Sequence, residues 1–183
     1  MDLSVVLLHE NMLDKTGKVV TTSLTIVDIH DIARSSTTFG LKNFFIAHPA
    51  TALRKLAEIM TRHWSEGFGS TYNPKRKTAL SKVEICINLD EVIEKITKRA
   101  GKTPKLIATS AKQGVNRISY SEMAKELKLS NSPYLLMLGT GWGMTDELMS
   151  KADYVLDPIL GPGEYNHLSV RSACAIMLDR LFT

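Results

Sequence analysis

Short apolar runs recur between amphipathic segments along this chain, and that alternation limits its fold more than any other feature. The runs "SVVLLH" (4–9), "NFFIAHP" (43–49), "VEICINL" (83–89), "PKLIATS" (104–110), "PYLLMLG" (133–139) and "DYVLDP" (153–158) read as buried strands. Several are apolar at consecutive positions, so both faces of each strand must be covered, as in a parallel sheet with helices on either side. The intervening segments supply those helices. In 90–101, Val92, Ile93 and Ile96 share one face and Gly101 ends the pattern. In 119–129, Ser119 and Glu122 stand at capping-box spacing, and in 48–64, Leu53, Leu56, Ala57 and Met60 fall at helical intervals. The rhythm predicts an α/β fold with a mostly parallel sheet flanked by helices.

With 183 residues and 44% hydrophobic content, the chain can bury one core, and a single domain over 1–183 is expected. Cys86 and Cys174 are too few for a disulfide framework, and no Cys/His cluster has metal-ligand spacing, so no metal and a reducing, cytoplasmic setting are expected. The amino end has Asp2 and only four apolar residues after Ser4, which suits a strand and not a leader. No apolar run approaches the ~18 residues of a membrane span. A net charge of +4 is compatible with a nucleic-acid partner.

Two segments break the rhythm. Residues 65–82 have no period and read as a loop; Lys75, Arg76 and Lys77 within it would grip phosphates if they lay near a site. The final segment, 166–182, carries Leu168, Ala173, Ile176, Met177, Leu181 and Phe182, apolar over more than half a helical circumference, which predicts packing on two sides and a subunit interface.

The glycines Gly139, Gly141 and Gly143 follow the strand "YLLML" at alternate positions. They form a tight strand-to-helix turn, or they let a ligand reach the main chain at the carboxyl end of a parallel strand, where ligands of such sheets bind. Gly101-Lys102-Thr103 has Ile96 where a Walker loop needs its first glycine, the set at 139–143 comes too late for a dinucleotide fingerprint, and no G-x-S-x-G elbow occurs.

A second glycine loop, "DPILGPGEYNHLSVRSACAIMLDRL" (157–181), leads through Gly161 and Gly163 into polar Tyr165, Asn166, His167 and Ser169. Together with "LGTGWGMTDEL" it resembles the carboxyl-terminal half of the SPOUT superfamily of S-adenosylmethionine-dependent RNA methyltransferases, in a bacterial branch related to the tRNA guanine-N1 methyltransferases. "DIHDIARSSTTFGLKNFFIAHP" (28–49) looks like that family's first motif, with Arg34, Phe39 and Gly40 in its arginine and Phe-Gly positions. Thr140 and Trp142 stand where the ribose-methylating branch carries an acid among its glycines.

The resemblance implies a carboxyl-terminal trefoil knot, a homodimer, and bound S-adenosylmethionine held by Leu138, Gly139, Thr140, Gly141, Ile159, Gly161, Asn166, Leu168, Ser169 and Val170. It makes Arg34 the expected catalytic residue and Lys75, Arg76, Lys77 and Arg171 the expected contacts to tRNA or rRNA. Asn166 also reads as the last helix's N-cap, and Trp142 as a core or interface anchor. A knot protein that binds the cofactor or RNA without catalysis is the alternative.

Overall fold

The computed structural model describes residues 1–183. Strand β1 (Leu3–Leu8) lies near the middle of a six-stranded sheet, and each residue of its run is buried. After a two-stranded hairpin, β2 (Met12–Leu13) and β3 (Val19–Val20), the chain enters α1 (Ile26–Thr38), whose N-cap Thr25 accepts from the Asp28 amide. It returns as β4 (Phe44–Ala47), parallel to β1. Helices α2 (Thr51–Ser65), α3 (Phe68–Tyr72) and α4 (Pro74–Leu80) then lead to β5 (Val83–Cys86) at one edge.

Helix α5 (Leu89–Ala100) carries the chain across to β6 (Lys105–Ala108), and α6 (Tyr120–Leu129) to β7 (Tyr134–Gly139), which pairs with β1 along its whole length. The short α7 (Asp146–Ser150) precedes the edge strand β8 (Tyr154–Val155), and α8 (Val170–Phe182) ends the chain. The order is β5-β4-β1-β7-β6-β8, with every pair parallel.

Each of the six expected strands is present, and the alternation within them explains the continuous apolar runs. Val5, Leu7, Phe44, Ile46, Leu136 and Leu138 face α1, α6 and α8 on one side. Val6, Leu8, Phe45, Ala47, Leu135 and Met137 face α5, α7 and the hairpin on the other. Strands covered on both sides favour apolar residues at successive positions, and Ser4 is the one buried polar residue of β1.

The structure corrects two expectations and meets a third, the two-sided packing of the last helix. Residues 65–82 are largely helical: Pro74 occupies the first turn of α4 and the Asn73 side chain accepts from the Arg76 amide at 3.0 Å, an N-terminus that looks like a turn in the sequence. The last helix is capped by Ser169, not Asn166, because the Ser169 hydroxyl accepts from the Ser172 amide. Its wide apolar surface is used within the chain, since α8 packs against both α1 and α6, burying Cys174, Met177, Leu178 and Leu181. No helix is long and apolar enough to cross a membrane.

Candidate active site

The carboxyl ends of β1, β6 and β7 open onto the same side of the sheet, and the loop after β7 is shaped there by the hairpin. Its backbone pairs with the hairpin as an added strand: Trp142 N–H donates to Leu13 O at 2.9 Å, Leu13 N–H to Gly143 O at 2.8 Å, and Thr145 N–H to Asn11 O at 3.0 Å. Gly141 has φ +60, and a Cβ on it would sit 3.0 Å from both Leu13 O and Thr22 Cγ2. On Gly139 a Cβ would lie 2.8 Å from Met144 Cγ. The close approach these glycines permit is thus that of the chain's own hairpin and Met144.

Below this loop lies a part-buried polar network of His9, Thr22, His48 and Thr140. Thr22 N–H donates to His9 O at 2.8 Å, and Thr22 O receives His48 Nε2–H at 3.0 Å. The His48 tautomer follows from its Nδ1, which accepts from Ala50 N–H at 3.0 Å. Thr140 Oγ1 donates to Leu8 O, so the Thr22 hydroxyl donates to Thr140 and accepts from His9 Nδ1–H at 3.0 Å. His9 Nε2 is then the bare nitrogen, buried without a partner.

Burial, and after it the neighbouring His48, push the His9 pKa down to about 4. A histidine with a depressed folded-state value contributes stability that is complete above its unfolded value near 6.5 and lost as pH falls toward 4. The H9Q variant lacks this titration. Chemical denaturation of the two proteins should show wild type losing about 3 kcal/mol relative to H9Q between those pH values. Parallel curves would mean that His9 is not held neutral.

Above the network is a cavity of about 870 Å³, within the range of small-molecule sites. Nine of the ten expected cofactor residues line it: Leu138, Gly139, Thr140, Gly141, Ile159, Asn166, Leu168, Ser169 and Val170. Gly161 does not, and a Cβ there would meet nothing within 4 Å. Asn166 Nδ2 donates to Ala111 O at 2.7 Å, tying the loop before α8 to the loop after β6. At the rim, Trp142 is exposed, and His167 stands edge-on to both Trp142 and Tyr165, at centroid distances of 6.4 and 5.5 Å. Trp142 is therefore not a core anchor.

Other lining residues are Thr22 and Ser23 beside the hairpin, Asp28 at the start of the first motif, and Thr109 to Lys112 after β6. Asp28 is the one carboxylate in the lining; it receives Thr25 Oγ1–H at 2.5 Å and pairs with Arg171 Nη1 at 3.1 Å. Arg171 also contacts Asp31 through Nε at 3.5 Å, so its guanidinium is engaged inside the chain. Arg34 is outside this cavity. It lies in a second groove, about 380 Å³, between α1 and α8, with its Nη1 3.8 Å from Asp31. Lys75, Arg76 and Lys77 line neither space.

A parallel α/β sheet with a ligand-sized cavity beyond its carboxyl ends, closed by a glycine loop and a helix N-terminus, defines a small-molecule-binding α/β domain. The chain belongs to the SAM-dependent RNA methyltransferase family, whose model matches residues 2–183. It is 40% identical over 179 residues to an uncharacterized protein of Aquifex aeolicus, covering 98% of this chain and 87% of that one. It is also 40% identical over 175 residues to the tRNA (guanine-N(1)-)-methyltransferase of Oleidesulfovibrio alaskensis, covering 96% of this chain and 40% of that protein. The chain thus spans less than half of that longer enzyme.

Among solved structures, a probable methylase family protein from Haemophilus influenzae Rd KW20 superposes with a TM-score of 0.67 at 17% identity, over 98% of this chain and 64% of the other. The SpoU methyltransferase AviRb from Streptomyces viridochromogenes, in complex with the cofactor AdoMet, gives 0.56 at 15% identity, over 99% and 57%. At these identities the likeness shows the fold, which is the SPOUT arrangement.

Proposed function

We propose that the chain transfers a methyl group from S-adenosylmethionine to a ribose hydroxyl or base nitrogen of tRNA or rRNA, as a single-domain cytoplasmic homodimer with a carboxyl-terminal trefoil knot. The observation that carries this reading is the cavity between the glycine loop and the start of α8, set in a chain matched by the family model over nearly its full length.

The lining suits the cofactor. Leu138, Ile159, Leu168 and Val170 offer an apolar slot for adenine, and Val170 and Arg171, whose N–H groups have no partner within α8, are both among the lining residues. Ser110 and Lys112 present a hydroxyl and an ammonium for the methionine carboxylate. When bound, S-adenosylmethionine supplies a methyl already activated on a sulfonium, which leaves the protein to position the acceptor and exclude water. Asp28 is held by Arg171 and Thr25, so its role is to fix the cavity wall.

Arg34 lines the α1–α8 groove and not the cavity of its own chain. In our reading a second copy docks there, and Arg34 meets the acceptor at the partner's site. The guanine-N1 activity named for the O. alaskensis protein belongs to a chain more than twice as long, and it does not decide which atom this chain methylates.

Nucleoside analysis of total RNA from cells with and without the gene identifies the acceptor. One methylated nucleoside should be absent from the deletion strain; identical profiles would contradict the proposal.

A further inference from the structure

The helices α3 and α4 build a surface the cofactor cavity does not use. Phe68 and Tyr72, at i and i+4 on α3, are 78% and 76% exposed, and their rings stack at 6.2 Å with an interplanar angle of 21°. Aromatic rings stabilise a fold by being buried, so an exposed stacked pair has no folding role to explain it. The pair is held outward by firm packing beneath. Gly69 abuts Trp64, where a Cβ would come within 2.6 Å of Cε3, and the Arg76 guanidinium covers the same indole at 4.3 Å.

The same segment is rich in positive charge. Between positions 62 and 77, Arg62, Lys75, Arg76 and Lys77 stand against Glu66 alone, and none of the four cations joins an ion pair. Through Trp64 the patch abuts His30 of α1, edge-on at 5.6 Å and two residues beyond cavity-lining Asp28.

We propose that this surface binds unpaired RNA, with bases stacking on Phe68 and Tyr72 and phosphates held by Arg62, Lys75 and Lys77. Single strands fit because their base faces are free to stack, whereas those of a duplex are already covered. Arg76 is committed to Trp64 and supports the platform. The proposal rests on the RNA methyltransferase reading and adds where the strand flanking the methylated nucleotide lies.

The test is fluorescence anisotropy with a labelled oligoadenylate of about 12 nucleotides and a duplex RNA of the same length. The F68A/Y72A double variant should bind the single strand at least about tenfold more weakly, with the salt dependence unchanged. F68W/Y72W should restore binding. A K75A/K77A variant should instead lower the slope of log affinity against log salt by roughly 0.7 for each lost contact. Single-strand binding by F68A/Y72A equal to wild type would overturn the proposal, and so would a loss of self-association with RNA binding intact, since a second copy would then occupy the patch. S-adenosylmethionine titrations on the same samples separate the two levels. A wild type that binds no cofactor counts against the methyltransferase reading, whereas cofactor-binding protein whose RNA affinity ignores Phe68 and Tyr72 counts against the platform alone.

Discussion

The G141V variant is expected to be the least stable single substitution in the site, losing about 3 kcal/mol or more. Two costs combine. Gly141 sits at φ +60, a left-handed conformation that is unfavourable for a β-branched residue, and its Cβ would press on Leu13 O and Thr22 Cγ2 at 3.0 Å. Leu13 O is backbone, bonded to Trp142 N–H, so relief requires moving the hairpin. The hairpin leads into Thr22, which lines the cavity, and cofactor affinity should fall with stability. For a chain of this size the thermal midpoint should drop by roughly 6–12 °C. Gly161 provides the control: its φ is unexceptional and a Cβ meets nothing within 4 Å, so G161A should unfold like wild type. An unchanged midpoint in G141V would contradict the account of why the glycine is there.

The R34A variant should do the opposite, keeping its stability and cofactor affinity while losing methylation. Arg34 is 62% exposed at its side chain and its one ionic neighbour, Asp31, is 3.8 Å away, an exposed pair of little energetic weight. A guanidinium that orients an acceptor and stabilises developing charge acts chiefly in the transition state. The rate should fall more than about tenfold, at least ~1.4 kcal/mol. Because Arg34 lies outside the cavity of its own chain, the proposed dimer makes a further demand. Mixing R34A with L168R, whose added guanidinium would fill the cavity at a half-exposed position, should restore activity through mixed dimers that retain one intact site. Full activity in R34A would remove the arginine from the mechanism, and no recovery on mixing would place its action within one chain.

How much of this was legible in the sequence depends on where the information lies. The six strands could be read because burial on both faces turns each into an apolar run, visible without knowing its neighbours. The hairpin could not: β2 and β3 have two residues each and are held by pairing with residues 142–145, more than a hundred positions away. Its local signal was the turn "DKTG", where the Asp14 carboxylate accepts from Thr16 and Lys18 and Gly17 takes φ +84. Helices α3 and α4 were hidden by Gly67, Gly69 and Asn73-Pro74, residues that usually break helices and here cap or pack them.

The cavity was legible where the glycine loops carry a family pattern, and there Leu138 to Gly141 and Leu168 to Val170 line it. Thr22, Asp28 and Thr109 to Lys112 were missed because ordinary residue types from distant segments gain meaning only when the fold gathers them. The glycines themselves drew attention for a reason the structure revises, since Gly139 and Gly141 make room for Met144 and the hairpin.

The most direct test of the central claim is methyl transfer by the purified chain. The protein is incubated with S-adenosylmethionine labelled on its methyl group and with total RNA from the deletion strain, and label is counted in RNA. The account predicts that label enters that RNA in an amount limited by one kind of site and enters RNA from the wild-type strain far less, because the site there is already methylated. A protein that binds both cofactor and RNA, yet transfers no label to either preparation, would contradict the account and leave a non-catalytic binding protein in its place.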